Sequence, residues 1–402
     1  MAQKINKVTY GKNVYDKKEI KAVVNTLKKT TQMGNNVYLF EKKISKAFGK
    51  KYGVMVNSGT SAIAIALRLL DLNKNDEIIT PCLNFGTALS SIILNNCKPI
   101  LVDINIQTLQ INEEEIESKI TPKTKALMIP NLIGNLPNWK KISKIAKKNK
   151  LKVIEDSADT LGSKINQKPS GKFSDISITS FYGSHIISCA GNGGMIMFDK
   201  NNYKKRAKIL RSWGRLSSIN KDSENINKRL KFKLQGVPYD NKFVFSEIGF
   251  NFEPSEIGAS FGLVQLSKFK KFEKIRKLNF KLHEKFFNNY KNFFIPIKVN
   301  KNVSTNFLAY PIIIKENNYF NRNELQIYLE KHNIQTRPIF SGNILRHPAF
   351  ISINKYNKVN SFKNSDYIMK NGMLIGCHQG LKYGEIKFIH NTVKNFIKIK
   401  II

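Results

Sequence analysis

Two segments of the 402-residue chain combine residue types that could act together in catalysis. His185 lies in 179-TSFYGSHIISCAGNGG-194, between a strand-like apolar run and a turn that is rich in small residues. An imidazole with an ordinary pKa of about 6.5 can both accept and donate a proton near neutral pH. Asp156 lies at the end of the apolar run in 153-VIEDSADTLGS-163. A carboxylate at that position could pair with a cationic ring nitrogen of a ligand.

A third segment, 57-NSGTSAIAIALRLL-70, places small and hydroxyl-bearing residues directly before an apolar helical pattern. The first N–H groups of a helix have no acceptor within it, and a glycine allows a ligand to approach the backbone closely. Ser58, Gly59 and Thr60 therefore form a candidate phosphate site. Each segment also has a structural interpretation, because the hydroxyls and Asp156 could cap helices or turns and a lone histidine such as His185 is often structural.

The elements that would position these residues alternate between helix and strand from residue 16 to about residue 200. Short apolar runs such as GVMV, KALMIP and KVIEDS are bounded by turn or charged residues, as strands of a buried sheet are. The alternation predicts an α/β fold with a largely parallel sheet and helices on both faces. Ligands of such sheets bind beyond the carboxyl ends of the strands, where the candidate residues should meet. Asn112 and Glu115 have the spacing of a capping box and predict a short helix.

The remainder of the chain predicts a second, smaller domain. Residues 214–246 are polar, aperiodic and interrupted by Gly and Pro, which indicates a long loop of the kind that often has a function. A helical stretch over about 254–292 follows, and then a second α/β pattern that ends in a helix near 384–398. We therefore predict a large cofactor-binding domain over residues 1–280 and a small C-terminal α/β domain over residues 281–402.

The composition excludes several classes of protein. A chain with 41% hydrophobic and 24% charged residues is typical of a globular protein, and no apolar run is long enough to span a membrane. The N-terminus has no signal-peptide pattern, so we expect a cytoplasmic location. The net charge of +38 comes from lysines spread along the polar faces of helical patterns, so we predict no nucleic-acid partner but an anionic small substrate. The four scattered cysteines predict no metal site.

The order of these motifs resembles the sugar aminotransferase family of fold-type I pyridoxal-phosphate enzymes, over roughly residues 8–400. NSGTSA is similar to its phosphate-binding turn, IEDSADTLGS to its E-D-x-(A/C) segment, and SFYGSH to the segment that ends in its Schiff-base lysine. The resemblance implies an aspartate-aminotransferase-like fold with a mainly parallel seven-stranded sheet. It also implies pyridoxal 5'-phosphate or pyridoxamine 5'-phosphate as the cofactor. At the lysine position this chain has His185, and no lysine occurs between Lys172 and Lys200.

A histidine at that position is typical of one subgroup, the pyridoxamine-phosphate-dependent 3-dehydratases of nucleotide-linked 4-keto-6-deoxy sugars. The resemblance implies that His185 is the acid/base, that a nucleotide sugar is the substrate and that glutamate is the amino donor. One branch of the subgroup carries an iron–sulfur cluster on closely spaced cysteines after an R-x-W-G-R segment. The segment 211-RSWGR-215 follows that layout, but Cys189 is the only nearby cysteine and one thiolate cannot hold a cluster. We therefore expect no iron–sulfur cluster.

The resemblance also implies roles for further residues. Asp156 would pair with the ring nitrogen, Phe85 would stack on the ring, and Asp159 stands where ordinary aminotransferases of the family have glutamine. Arg337 is a candidate for binding the sugar or nucleotide, with a structural role left open. The same two alternatives apply to Asn343 and His378, whereas the cofactor phosphate would be held by Ser58, Gly59, Thr60 and Ser180, with Asn251 from the second subunit of a homodimer.

One departure from the family pattern lies directly after the histidine. The chain reads GNGG where the family usually reads G-E-G-G, so the neutral Asn192 replaces a common glutamate. Two alternatives to a dehydratase therefore remain open. The chain could be a nucleotide-sugar aminotransferase, or a non-catalytic relative that keeps the fold as a cofactor-binding or regulatory protein.

Overall fold

A computed structural model describes residues 7–220 and 224–401 of the chain. Its strands, in chain order, are β1 (Tyr52–Val56), β2 (Glu77–Pro81), β3 (Lys98–Val102), β4 (Thr124–Pro130), β5 (Lys152–Asp156), β6 (Lys164–Ile165), β7 (Lys168–Pro169), β8 (Ile176–Ser180), β9 (Gly194–Phe198), β10 (Lys233–Leu234), β11 (Val237–Pro238), β12 (Val303–Ser304), β13 (Ala309–Ile313), β14 (Arg337–Pro338) and β15 (Gly372–Gly376). Its α-helices are α1 (Lys17–Leu27), α2 (Asn35–Ala47), α3 (Gly59–Arg68), α4 (Gly86–Leu94), α5 (Trp139–Lys148), α6 (Asn201–Arg211), α7 (Ile226–Leu230), α8 (Glu256–Asn288), α9 (Arg322–Lys331), α10 (Lys363–Asn371) and α11 (Tyr383–Ile401).

The central sheet contains seven strands in the order β1-β9-β8-β5-β4-β2-β3. Every neighbouring pair is parallel except the two that β9 makes with β1 and β8. Alternate residues of one strand enter different cores, since Ile154 packs with α3 and α4 whereas Val153 packs with Trp139 of α5. Helices therefore cover both faces, which explains why the strands read as nearly continuous apolar runs. The predicted α/β fold with a mainly parallel seven-stranded sheet is confirmed.

The C-terminal part packs against the carboxyl ends of the central strands. It contains the antiparallel sheet β13-β15-β14, which is accompanied by α9, α10 and α11. Its largest core includes Phe280 and Tyr310 together with Leu83 and Leu132, which follow strands of the central sheet. The predicted domain boundary at residue 280 falls inside the continuous helix α8. The division into residues 1–280 and 281–402 therefore stays a prediction.

Two local predictions can be compared with the structure. The loop predicted over 214–246 contains the short helix α7 and the hairpin β10–β11, and residues 221–223 of it lie outside the described residues. The helix predicted after Asn112 is wrong, since only the three-residue 3-10 helix Glu117–Lys119 forms. The Asn112 side chain donates to Glu115 Oε1 over 2.7 Å and does not cap a helix. In the part of the chain that is described, no helix is both long and apolar enough to cross a bilayer.

Candidate active site

A cleft of about 910 Å³ lies at the carboxyl ends of β1, β2, β4, β5 and β8. This is where ligands bind in α/β sheets, because the loops that follow parallel strands meet at one edge. Nine of the twelve residues predicted from the sequence line this cleft: Ser58, Gly59, Thr60, Phe85, Asp156, Asp159, Ser180, His185 and Arg337. Topology therefore brings together side chains that are separated by as many as 279 positions.

The turn between β1 and α3 forms one end of the cleft. Ser58 is the N-cap of α3, and its Oγ accepts a hydrogen bond from the Ser61 N–H over 3.1 Å. Gly59 follows as the first helical residue, so the amides of the first turn lie beside the cleft without intrahelical acceptors. A Cβ atom at Gly59 would lie only 2.9 Å from the Ser180 Cβ. This contact explains why glycine is needed where the turn approaches β8.

Two carboxylates line the cleft at the end of β5. Asp156 accepts from the Ala158 N–H over 3.0 Å, and burial, followed by the nearby Glu155 charge, raises its pKa to about 6. Asp159 accepts from the Ile133 N–H over 2.8 Å, and burial, followed by the charge of Asp156, raises its pKa to about 7. Desolvation disfavours a carboxylate charge, so these groups are poised to pair with a cation or to carry a proton.

The adjacent Glu155 has a different role from Asp156. Its side chain is fully buried and accepts hydrogen bonds from Asn131 Nδ2 over 3.0 Å, Ser157 Oγ over 2.9 Å and Ser177 Oγ over 2.7 Å. Those donors satisfy the charge inside the protein. Of the two neighbouring acids, only Asp156 lines the cleft.

His185 lies in the turn after β8, and its backbone N–H donates to the Tyr182 carbonyl over 2.9 Å. The ring packs edge-on against Tyr182 with a centroid distance of 5.9 Å. Its Nδ1 atom is buried and has no hydrogen-bond partner among the described residues. Burial, and to a lesser degree the charge of Arg276, lowers the His185 pKa to about 4. The imidazole is therefore uncharged at neutral pH and can act as a base.

The wall opposite β5 combines aromatic and polar side chains. Phe85, the N-cap of α4, is 54% exposed and meets Phe340 edge-on at a centroid distance of 5.9 Å. Sequence reasoning missed Tyr10 and Gln335, which line the same cleft and are joined by a hydrogen bond of 2.9 Å from the Tyr10 N–H to Gln335 Oε1. A sequence signal for Gln335 was available: it lies two positions before the predicted residue Arg337, and alternate residues of an extended segment lie on the same face. Burial raises the pKa of Tyr10, so its hydroxyl stays protonated.

Three residues that the sequence predicts for the site do not line the cleft. Asn343 is fully buried, and its amide donates to Asp366 Oδ1 over 2.9 Å and to the Val359 carbonyl over 3.1 Å. His378 is also buried, with Nε2 lying 3.0 Å from the Thr9 carbonyl. Both side chains have protein partners in this chain, and their predicted roles in binding the sugar or nucleotide stay predictions. Asn251 is exposed on the surface of this chain, and its predicted contact with a neighbouring subunit stays a prediction.

The 211-RSWGR-215 segment is accounted for by packing. Arg211 is buried and donates from Nη1 to Glu41 Oε1 over 3.0 Å and to the Met55 carbonyl of β1 over 2.9 Å. The Arg215 guanidinium lies 3.9 Å from the centre of the Trp213 ring, which is cation–π geometry. Among the described residues no group of three or more His, Cys, Asp or Glu side chains forms a potential metal site.

Comparison with known proteins adds a family to this geometry. The family model described as the DegT/DnrJ/EryC1/StrS aminotransferase family matches residues 13–394. The chain is 32% identical over 368 residues to the lipopolysaccharide biosynthesis protein RfbH of Salmonella typhimurium, with 89% of this chain and 84% of that protein covered. It is 30% identical over 395 residues to the GDP-4-keto-6-deoxy-D-mannose 3-dehydratase of Escherichia coli O55:H7, with 95% and 98% covered.

The structural comparison agrees with the predicted fold type. A crystal structure of a GDP-4-keto-6-deoxymannose-3-dehydratase with a trapped PLP-glutamate geminal diamine has a TM-score of 0.84 and 28% identity, with 96% of this chain and 99% of that chain covered. The predicted aminotransferase-like fold is therefore confirmed. Aminotransferases are also similar to the chain, since the GDP-perosamine synthase of Escherichia coli O157:H7 is 31% identical over 308 residues, with 76% and 77% covered.

Proposed function

Because the chain belongs to the DegT/DnrJ/EryC1/StrS aminotransferase family, we propose that it is a pyridoxamine-phosphate-dependent 3-dehydratase of a nucleotide-linked 4-keto-6-deoxyhexose. The observation that carries the proposal is His185, an uncharged imidazole in the cleft at the position where related chains have a lysine. No lysine lies between Lys172 and Lys200 to take its place. The similarity to named 3-dehydratases over almost the whole chain supports the same reaction.

The residues of the cleft fit pyridoxal or pyridoxamine phosphate. The first turn of α3 offers backbone donors to a phosphate, and its approach to β8 leaves no room for a Cβ at Gly59. The buried Asp156 would pair with a protonated ring nitrogen, whose positive charge would favour the ionised carboxylate. The exposed ring of Phe85 offers a surface for stacking. Asp159 and Ser180 also line the cleft and would contact the cofactor beside Asp156.

The chain's own residues supply the proton transfers. The cofactor, when bound, supplies a primary amine for the sugar ketone and an aromatic ring that accepts electrons. His185 would take up a proton at its unpartnered Nδ1 and then deliver it to the C-3 hydroxyl of the sugar, which leaves as water. Asp156 would hold the positive charge on the ring nitrogen throughout. A histidine suits this work because it does not compete for the carbonyl group as a lysine amine would.

The substrate and the donor are proposed from charge and similarity. Arg337 lies on the cleft wall and would bind the phosphates of a nucleotide sugar, which a chain of net charge +38 also attracts. Glutamate is proposed as the amino donor because a similar dehydratase was trapped with it. The similarity to a lipopolysaccharide biosynthesis protein suggests that the product enters a surface polysaccharide.

A substrate panel tests the proposed reaction. Purified protein with pyridoxamine phosphate, glutamate and GDP-, CDP- or dTDP-linked 4-keto-6-deoxy sugars should release ammonia and 2-oxoglutarate. The nucleotide sugar should lose the mass of one oxygen atom, because its C-3 hydroxyl leaves as water while glutamate is oxidised to 2-oxoglutarate, whose new keto oxygen comes from water. Protein without glutamate should complete no more than one turnover per bound cofactor. The absence of any deoxygenated product from all three sugars would refute the proposal.

The His185→Lys variant separates the dehydratase from the two alternatives. We expect it to bind pyridoxal phosphate covalently, so that borohydride fixes the cofactor to the chain, and to lose dehydration. An unmodified protein that forms an amino sugar without ammonia would instead be an aminotransferase, as the similarity to the perosamine synthase allows. A protein that binds cofactor but converts no sugar would be the non-catalytic relative. The matched control is Lys172→His, which lies outside the cleft lining.

We also propose a homodimer in which Asn251 of one subunit binds the phosphate held by the other. Asn251 is exposed beside the start of α8 and lines no part of its own cleft. In a mixture of His185→Asn and Asn251→Asp chains, a hybrid dimer would contain one wholly unmodified site. Activity should therefore reappear on mixing and unfolding–refolding the two inactive variants, to about a quarter of the unmodified protein. Two variants that stay inactive together, although a hybrid dimer forms, would exclude shared sites.

A further inference from the structure

Arg276 of α8 is a fully buried arginine whose hydrogen-bond partners are all neutral. Its Nε donates to Gln379 Oε1 over 2.6 Å, and Nη1 donates to the Phe307 and Leu308 carbonyls over 2.9 and 3.0 Å. Its Nη2 is buried without a partner, and within residues 7–220 and 224–401 it forms no ion pair. Burial lowers its pKa only to about 10, so the group is charged at neutral pH.

An unpaired buried charge is costly, since desolvation is not offset by a counter-ion. A neutral side chain of similar volume would pack at this position without that cost. The fold therefore keeps a cation at a place where packing alone would not require it. The surroundings of the guanidinium indicate what the charge is for.

Two connections lead from Arg276 to the proposed active site. Gln379, which accepts from Arg276 Nε, donates from Nε2 over 3.4 Å to the carbonyl of Ile186, the residue that follows His185. Leu308, whose carbonyl accepts from Nη1, lines the cleft. The helix α8 is thus tied to the turn that carries the imidazole. After burial, the positive charge of Arg276 is a further cause of the low pKa of His185.

We propose that Arg276 is a positioning residue for His185, which anchors the catalytic turn through Gln379 and holds an unpaired positive charge beside that anchor. The inference rests on the proposed role of His185 as the proton carrier. It deepens that role, because a base has to be unprotonated before the first step. Arg276 would act without contacting the substrate.

Other charged and titratable groups also face this part of the cleft. They are Asp156 and Asp159 from the end of β5, Tyr182 from the histidine's own turn, and Tyr10 and Arg337 from another part of the lining. His378 is buried outside the cleft lining. Burial raises the pKa values of the two carboxyl groups to about 6 and 7, so their negative charge decreases as the pH falls below these values. Arg337 is exposed, so solvent screens its charge. Among the described residues, Arg276 is a buried cation whose charge, after burial itself, opposes protonation of the imidazole.

NMR titration of the full chain without substrate tests this directly. The ring signals of its six histidines are followed from pH 8 to about pH 3.5, with His185 assigned from a His185→Asn variant. In the unmodified protein the His185 signal should stay at its neutral position from pH 8 to pH 5 and titrate only below that range. In Arg276→Met, which removes the charge but leaves the ring buried, its midpoint should rise measurably above the unmodified value.

A second variant gives the same answer if Arg276→Met does not fold. Gln379→Glu keeps an acceptor for Arg276 Nε and pairs the guanidinium with a carboxylate, so the His185 midpoint should again rise. It also removes the Nε2 donor to the Ile186 carbonyl and therefore tests the anchor at the same time. The matched control is Lys271→Met, which removes an exposed positive charge from the same helix and should leave the midpoint unchanged.

The proposal is overturned if His185 titrates near pH 6.5 in the unmodified protein. It is equally overturned if a folded Arg276→Met or Gln379→Glu chain keeps the unmodified midpoint to within a few tenths of a unit. Because these spectra need no turnover, they remain decisive even if no nucleotide sugar is deoxygenated. Conversely, active enzyme with an unchanged His185 midpoint in both variants would refute this inference and leave the proposed function standing.

Discussion

A methyl group added at Gly59 should weaken cofactor binding more than it weakens the fold. The added Cβ would lie 2.9 Å from the Ser180 Cβ and 3.2 Å from its Oγ, whereas ordinary van der Waals contacts begin near 3.4 Å. Either the α3 turn or the end of β8 must therefore move by about half an ångström. Overpacking of this kind costs roughly 1–3 kcal/mol. Because both segments would hold the phosphate, most of that cost should appear when the cofactor binds.

The expected effect of Gly59→Ala is an increase in the Kd for pyridoxamine phosphate of about tenfold or more, since 1.4 kcal/mol is a factor of ten. Equilibrium titration of the cofactor's fluorescence measures the Kd, and thermal unfolding without cofactor measures the effect on the fold. Gly384→Ala is the matched control, because an added Cβ at this exposed helical position meets no atom within 4 Å. It should bind the cofactor as the unmodified protein does.

A double-mutant cycle with Ser180→Gly identifies the contact responsible. Removing the Ser180 side chain vacates the space that the new methyl group needs, although it also removes a proposed phosphate ligand. The cost of Gly59→Ala should therefore be smaller in the Ser180→Gly background than alone, with a coupling free energy of about 1 kcal/mol or more. An equal cost in both backgrounds, or a Gly59→Ala chain that binds within twofold of the unmodified protein, would refute the steric reasoning.

Two further predictions follow from the buried titratable groups. In the protein alone, burial raises the Asp156 pKa to about 6, so folding disfavours its charge. Asp156→Asn should therefore stabilise the protein without cofactor at pH 8 by about 2 kcal/mol, and it should lower turnover at least 100-fold. A loss of stability of this variant in urea unfolding would contradict the prediction. Burial also lowers the pKa values of His283 and His390, which lie 3.0 Å apart, to about 3 and 4. Their stabilising contribution is therefore present above pH 6.5 and lost as the pH falls towards 4. His390→Gln keeps a hydrogen-bonding group beside His283 but removes one titration, so it should lose less unfolding free energy between pH 7.5 and pH 5 than either the unmodified protein or the exposed control His332→Gln.

The central sheet and most of the cleft could be predicted because their signals are local. Buried parallel strands read as short apolar runs, and the residue that follows each run necessarily lies at the ligand-binding edge of the sheet. Ser58, Asp156 and His185 each follow or end such a run, so their convergence needs only the order of the strands. Their chemistry follows from residue type and from the resemblance to a known family.

The residues that sequence reasoning missed, and the predicted residue Asn343 that lies outside the cleft lining, depend on contacts between distant segments. Asn343 sits in a polar, loop-like motif, yet its amide bonds to Asp366 and Val359, which no local pattern reveals. Tyr10 reaches the cleft because the backbone around Val8 pairs with that around Ile334. Similarly, the capping spacing after Asn112 was satisfied by a side-chain bond within a turn, which competes with helix formation at such residues.

The protonation state of His185 depends both on the fold around it and on the ligands that bind in the cleft. A pKa of about 4 makes the imidazole a base in the protein alone but a group that is rarely protonated at pH 7. The same residue can serve as an acid only if negative charge enters the cleft, because nearby anions favour the protonated ring. A cofactor phosphate and a nucleotide diphosphate would bring that charge, whereas Arg276 would oppose it until they bind. Bound substrate would thus enable His185 to act as an acid, whereas the fold alone enables His185 to act as a base.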